Sequence, residues 1–528
     1  MPIVASSNVA NQSINDRQHF EKQKEIFQKL DLQKKETIPA STVDKPKLLQ
    51  ANDDKCFVTK VILEDSIFLL SKSEKNKVYQ KYLNKCNNIT ALSNLVKELT
   101  SVYIDKGYVT SKVYLKPQDI SQGEVQLHAI EGTIEKFLPN TPSTQSAFWF
   151  QNANHLNLKD LEVGIETLNR LQSNNAKLKL SPGKNAGETV VEIENEKTSI
   201  FNGYITSNNF GQDTTGEYQG TALLNIDNPL GINDKITISL NSTDNHNLND
   251  NSKGSAYYYS FALGRMLYTL GYTRSTYEQQ IDASLNTYES EGINRSYNID
   301  VNYKLFHNQN NKINLGSYVN NYRSENYIDK AAIETSTYNL SKYGLSIDHL
   351  YQTNSFLSYL SFEYTKGAHL FSNFNPTELD EKFSKYTVDL TLSKSIDTFK
   401  YNLTFHLQET KDQLFSVNQI SIGGPYSVRG YNKEGLSGNS GHYYRNEFSY
   451  TAQSKWFGTV TPTFYAGIDG GWIKKEEDTT GGTIIGEFVG LKLNYDSFNY
   501  DMYYSKPLRT ADVDEYENFF GVQMSYSF

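Results

Sequence analysis

One arginine stands out for its surroundings. In GGPYSVRGYNKEGLSGNSG, residues 423–441, Arg429 follows Val428 and precedes Gly430 and Tyr431. The glycines around it do not make the G-x-x-x-x-G-K-[ST] phosphate loop, so the chemistry on offer is electrostatic. The segment of about 30 residues lies between YNLTFHLQET and HYYRNEFSYT, and connections that long are usually functional or disordered. Folded out into water, Arg429 would be an ordinary surface side chain. Folded back inside, it would need a carboxylate, best held by two parallel bonds. Asp469, in TFYAGIDGGWI, is the candidate, and its neighbours Gly467 and Gly470 would let a loop backbone approach the wall that carries it. The alternative is a solvated loop arginine and an unrelated aspartate at a strand end.

Motifs for covalent or metal chemistry are missing. The sequence has no H-E-x-x-H and no C-x-x-C. GLSGNSGH, residues 435–442, fails G-x-S-x-G because Asn439 stands two after Ser437 and His442 two after Ser440. No enzymatic role, cofactor or metal is expected. Cys56 and Cys86 lack Cys or His companions at ligand spacing and suit one disulfide in an oxidising compartment; two free buried thiols are the alternative. If bridged, their loop of roughly 30 residues would add about 3–4 kcal/mol.

The elements that must hold Arg429 and Asp469 are strands. From about residue 201 the pattern has period two. Tyr401, Leu403, Phe405 and Leu407 oppose Asn402, Thr404, His406 and Gln408. Ile299, Val301, Tyr303 and Leu305 oppose Asn298, Asp300, Asn302 and Lys304. At the end of the chain, Phe520, Val522, Met524, Tyr526 and Phe528 oppose Gly521, Gln523, Ser525 and Ser527. The polar face stays polar throughout, as in a barrel with lipid outside and a hydrated lumen. The 38 tyrosines and 27 phenylalanines fit such a barrel, whose interfaces are lined by rings with an apolar body and a wet edge. A large soluble all-β protein is the plainer reading. Residues 201–528 give about 16 strands at about 20 residues per strand and connection, a size that keeps an aqueous channel. No run of about 18 apolar residues offers a membrane helix. The net charge of −9 argues against a nucleic-acid partner.

The first 200 residues read differently. Residues 13–36 form one highly charged helix, with Ser13 and Asp16 near capping-box spacing and a thin stripe of Phe20, Phe27 and Leu30. It is too polar for a dry core, so it belongs in solvent or in a wet cavity. Residues 37–55 make a linker. Residues 56–132 and 133–200 are two small α/β units of β-α-α-β-β or β-α-β-β order. CFVTKVILED opens the first as a strand. Its helix buries Leu92, Leu95, Val96, Leu99 and Tyr103 and stops at Gly107. The second helix is capped by Asn157 and buries Leu158, Leu161, Ile165 and Leu168. Strand edges in such units can accept another chain. The opening MPIVASSNVANQ shows no basic n-region and no apolar run of about 7–15 residues, so no signal peptide is visible and a mature or trimmed form is expected.

In this order the residues resemble the outer-membrane transporters of two-partner secretion, the TpsB family, which shares a superfamily with the BamA insertase. The match runs from the polar helix through YIDKGYVTSKVYL, LEVGIETLNRLQ, KLKLSPGKNAGETVVEIE and NIDNPLGINDKITISL to GGPYSVRGY, GIDGG and the terminal Phe528. The resemblance implies an α+β periplasmic region followed by an all-β membrane barrel. Residues 1–36 would be a plug helix, 37–55 a linker, 56–132 and 133–200 two POTRA domains, and 201–528 the barrel, with a loop around 410–441 folded into the lumen. Val428, Arg429, Gly430 and Tyr431 match the family's loop tip, and Asp469 its wall partner. Phe528 matches the terminal aromatic of the assembly signal. A non-enzymatic, monomeric exporter in the outer membrane of a Gram-negative bacterium is implied, with its N-terminal region in the periplasm. Its partners would be a secreted TpsA-type haemolysin, adhesin or contact-dependent inhibition toxin, outer-membrane lipid, and the barrel-assembly machinery during biogenesis. An insertase or assembly factor of the BamA-related superfamily is the alternative. Here the linker is only modestly proline-containing, unlike a strongly proline-rich one.

Overall fold

The computed structural model describes residues 45–49, 55–149, 155–212, 215–244, 251–282, 286–308, 310–432, 435–476, 479, 481–509 and 517–528. The helix expected over residues 13–36, with Phe20, Phe27 and Leu30, lies outside these residues.

The first unit has β-α-α-β-β order. Val61–Asp65 runs parallel to the central strand Glu124–Ile130, and Lys112–Leu115 joins antiparallel on its other side. CFVTKVILED is not one strand. Phe57–Val58 instead pairs with Cys86–Asn87, and the Cys56–Cys86 disulfide closes that ladder. The chain changes sheet because Thr59 spends its backbone on Lys85 and Asn84, whereas Lys60 turns to Gly123. The helix Ile89–Lys106 starts on the Asn88 side chain, which accepts from Ala91 N–H, and ends at Gly107 with φ 98°. Leu92, Leu95, Leu99 and Tyr103 are buried by it, with Val96 packed partly against the same core; each full burial contributes roughly 1.5–3 kcal/mol. A shorter helix, Lys72–Tyr79, begins in a Ser71–Glu74 capping box. The hydrogen bonds from Ser71 hold the Glu74 carboxyl down at about 2.

The second unit repeats the order. Thr133–Leu138 lies parallel to Glu188–Asn195, and Ala176–Pro182 lies antiparallel. Helices Pro142–Ala147 and Leu158–Asn169 cover the sheet. Gly164 is required where the helices cross, because a Cβ there would run into the Phe148 ring. The two units are bonded to each other: Leu158 N–H donates to Gly107 carbonyl at 2.8 Å, Asn157 Nδ2 to Lys106 carbonyl at 3.2 Å, and Lys159 Nζ to Asp105 carbonyl at 3.4 Å.

Sixteen long antiparallel strands, plus the two-residue strand Ala331–Ala332, close into a barrel between Phe201–Asn208 and Phe519–Ser527. The predicted alternation sorts as expected from lipid and lumen. Ile299, Leu305, Phe520, Met524 and Tyr526 are exposed on the outside. Gln408 and His406 face in, where Gln408 donates to the Asn418 and Asn439 carbonyls and His406 pairs with Asp389. At the closing seam Phe528 and Gly203 exchange backbone hydrogen bonds at 3.0 Å.

The second unit is docked on the barrel mouth where Phe201 begins. Arg170 donates to Ser260 Oγ at 3.0 Å, and Arg265 pairs with Asp160 at 2.5 Å. Thr167 Oγ1 donates to Gly264 carbonyl at 3.1 Å. Glu166 sits among His307, Lys312 and Lys304 at 2.7, 2.9 and 3.8 Å. Burial alone would raise its carboxyl, but the His307 hydrogen bond and the two lysines outweigh that and hold it well below the usual carboxylate range. A depressed acid contributes above its unfolded value and stops contributing as pH falls through its folded one. The contribution of the Glu166 carboxyl to docking should therefore be complete above about pH 5 and fall away only below about 4. Glu166→Ala leaves Lys304, Lys312 and His307 without the carboxylate they share, at a cost of up to about 3–5 kcal/mol. Hydrogen exchange in Leu158–Asn169 should accelerate in this variant and not in Glu194→Ala, whose side chain is exposed. Equal exchange in the two variants would show that the cluster does not hold the dock.

Candidate functional site

The long connection after Phe399–Thr410 folds inward against the barrel wall. Ile420–Ile422 and Leu436–Gly438 pair as a small ladder within it. Ile420, Ile422, Val428, Tyr431 and Leu436 form one core with Tyr443, Ile473 and Ile484 of the wall. Its shoulder is tethered by polar bonds: Lys342 Nζ to Asn418 Oδ1 at 2.8 Å, Lys385 Nζ to Asn418 carbonyl at 3.1 Å, and Leu414 N–H to Asn439 Oδ1 at 3.0 Å. The tip turns through Gly423 and Gly424, with φ 121° and 86°, and Ser427 Oγ bonds back to both backbone groups of Gly423.

Arg429 is 4 % exposed and Asp469 0 %. Arg429 Nε donates to Asp469 Oδ2 at 2.6 Å and Nη2 to Oδ1 at 3.1 Å, the fork geometry that a planar guanidinium and a carboxylate share. The Arg429 backbone N–H adds a bond to Oδ2 at 3.3 Å. Nη1 reaches Glu447 Oε2 at 3.2 Å, and the guanidinium carbon lies 3.2 Å from the Phe488 ring centroid. Glu447 also accepts from Lys492 Nζ at 2.9 Å, and Lys492 sits over the Tyr465 ring. Arg445 stands nearby, its Nε 3.9 Å from Asp469 and without a hydrogen bond among the described residues. Two buried carboxylates thus face three cations in this group.

The rest of the tip is equally specified. Gly430 has φ 101°, and a Cβ there would stand 2.9–3.0 Å from the backbone of Lys506 and Pro507. Tyr431 is inserted where the ladder between Gly482–Tyr495 and Phe498–Arg509 shifts register. Its hydroxyl donates to Ile485 carbonyl at 2.8 Å and accepts from the N–H of Ile485 and Arg509 at 3.2 and 3.3 Å.

The flanking glycines of Asp469 act otherwise than expected. Gly467 makes room for the Phe488 ring and the Asn446 carbonyl, and Gly470 faces out beside Tyr444. The close approach of loop to wall occurs instead at Gly486, where a Cβ would collide with the Arg429 carbonyl oxygen, and at Gly471, beside Ile422 Cδ1. Sequence reasoning also missed Glu447, Phe488 and Lys492. Glu447 had a signal: it occupies an inward position of HYYRNEFSYT, where a charge cannot be meant for lipid. Phe528 is half-exposed at the seam and lies 6.3 Å from the Tyr526 ring.

A sixteen-stranded barrel with two α+β units at one mouth and an arginine-clasped loop inside it defines an outer-membrane transporter of the two-partner secretion class. A profile of the haemolysin secretion/activation protein ShlB/FhaC/HecB family matches residues 187–493, and the chain belongs to that family. A ShlB-type POTRA domain matches residues 57–132, and a POTRA domain matches 126–182. The outer membrane transporter CdiB of Dickeya dadantii is 28 % identical over 83 % of this chain and 80 % of its own. The hemolysin transporter protein ShlB of Serratia marcescens is 28 % identical over 75 % of this chain and 72 % of its own. The solved structure of CdiB from Escherichia coli superposes with a TM-score of 0.88 at 24 % identity, covering 98 % of this chain and 99 % of that one. The protein is therefore a transporter and not an enzyme; it resides in the outer membrane with its N-terminal region in the periplasm, and it serves a TpsA-type secreted partner.

Proposed function

We propose that the protein captures an unfolded exoprotein on its POTRA domains and passes it outward through the barrel, with the Arg429–Asp469 clasp holding the loop as part of the conduit wall. The observation that carries this reading is the inward loop, built into the lumen by the bidentate pair and by Tyr431. Capture is supported by the free side of Val61–Asp65, an edge strand whose Val61 and Leu63 are exposed. The cargo would be a TpsA-type haemolysin, adhesin or contact-dependent inhibition toxin, extended during passage. No nucleotide drives the step in the periplasm, so folding of the cargo outside would prevent its return. Residues 13–36 would leave the lumen to admit it, and the protein would work as a monomer.

Two measurements test this. A photoreactive residue in place of Leu63 should crosslink to a partner stalled during export, whereas the same residue at Lys179, a side chain exposed in the second unit's sheet, should not. Equal crosslinking at both positions, or at neither, would count against capture on that edge. Deleting residues 1–36 should raise single-channel conductance in planar bilayers several-fold, since an eight-stranded barrel is filled by side chains but one of about 16 strands leaves a channel. An unchanged conductance would remove the plug from the scheme.

A further inference from the structure

The lipid-facing wall carries a charge arrangement that export does not use. We propose that the outer face of strands Met266–Asp282, Thr287–His307 and Asn311–Ile328 is a binding site for a phosphorylated glycolipid of the outer leaflet, held by Arg274, Arg295 and Arg323.

Register places the three arginines in one row. Arg274 pairs directly with Arg295, and Arg295 directly with Arg323. They share the outward face with Tyr297 and Ile299, which are 53 % and 54 % exposed. Like charges directly opposite each other destabilise a ladder unless something neutralises them. Glu325 does so in part, accepting from Arg295 at 2.8 Å and Arg323 at 2.6 Å. Arg274 is exposed and forms no ion pair among the described residues. One carboxylate against three guanidiniums leaves a surplus that an anion from outside would satisfy. Guanidinium forks suit phosphate in particular.

The height of the row selects a lipid. One step nearer the membrane, Tyr257, Tyr272 and Tyr297 make a second row, with ring centroids 6.3 and 5.1 Å apart. Rows of outward tyrosines mark the boundary between acyl chains and headgroups. From Leu305 up to Arg295 the strand climbs roughly 26 Å at ~3.4 Å per residue and ~40° tilt, close to the ~25 Å apolar band of such barrels. The arginines therefore stand at headgroup level, with Leu270 and Ile299 exposed below for acyl chains. Two steps higher, Glu278 pairs with Glu291, which confines an anion to the arginine row. Lys253, outward on the neighbouring strand and paired with Thr276, adds a positive charge at the edge. The ligand that fits carries phosphate at the headgroup boundary and several acyl chains, as lipid A does in an outer leaflet.

The test is native mass spectrometry of the detergent-solubilised full chain with bis-phosphorylated lipid A. The protein should retain one lipid. Arg274→Gln with Arg323→Gln should lower the bound fraction about ten-fold or more, the weight of one or two charge-assisted bonds, while Arg274→Lys stays within about three-fold. Dephosphorylated lipid A should bind the unaltered protein no better than the intact lipid binds the double variant. Heat-dependent gel mobility checks that each barrel is folded, and Arg274→Gln alone serves if the double variant is not. Equal retention by the folded variants, or equal competition by phosphatidylglycerol or inorganic phosphate, would overturn the assignment.

Discussion

Replacing Arg429 with alanine is expected to stop export of the partner while leaving the barrel folded in the membrane. The substitution removes both side-chain bonds to Asp469, which has no exposure of its own, and leaves that carboxylate with Arg445 at 3.9 Å. Breaking a desolvated pair from one side costs about 3–5 kcal/mol, less in a wet lumen. Even about 3 kcal/mol would shift the ratio of clasped to released loop by more than 100-fold. The wall should survive, because its ladders do not pass through the loop and Glu447 keeps Lys492. Arg429→Lys should recover only part of the activity, since an ammonium cannot make the fork or lie flat on Phe488. The assay compares secreted partner in the medium with the amount of heat-modifiable barrel in the membrane. Normal secretion from the alanine variant would end the proposed role.

Gly486→Val should have the same effect without touching a charge. The new Cβ would collide with the carbonyl oxygen of Arg429, a backbone atom that cannot rotate aside. The strand itself can accept valine, whose branched side chain suits a pleated sheet. The loop tip must therefore move off the wall. Gly220→Val is the control, because nothing lies within 4 Å of a Cβ at that strand position. Trypsin added to whole cells should cleave after Arg429 in Gly486→Val but not in Gly220→Val, and export should fall only in the former. Resistance to trypsin together with normal export in Gly486→Val would mean that the clasp tolerates displacement.

What could be read from the sequence followed from local rules. Period-two alternation exposed the barrel because lipid and lumen sort every second residue. Gly107 and Asn157 marked helix ends because their backbone and side-chain chemistry is short-range. The helix Lys72–Tyr79 went unread, although Ser71 and Glu74 spell a capping box, because its apolar face is little more than Val78 and Tyr79. In the clasp, Arg429 and Asp469 could be paired as a candidate because each stands alone in a glycine-rich setting. Phe488 and Lys492 could not be, since their place beside the arginine depends on strand register across tens of residues. Tyr431 has its partners only because two distant strands shift register at Ile485 and Gly486.

The bonds between the periplasmic units, and between the second unit and the barrel mouth, have a mechanical consequence. Lys106 and Gly107 of the first unit are bonded to Asn157 and Leu158 of the second, and Asp160, Glu166 and Arg170 join the second to three different hairpins, Arg170 through the Asn233 carbonyl. An arm fastened at both joints keeps the Val61–Asp65 edge at a set distance and angle from the opening. Cargo laid along that edge would reach the pore by its own length, as thread from a fixed guide, and the arm would set the direction of feed without having to swing.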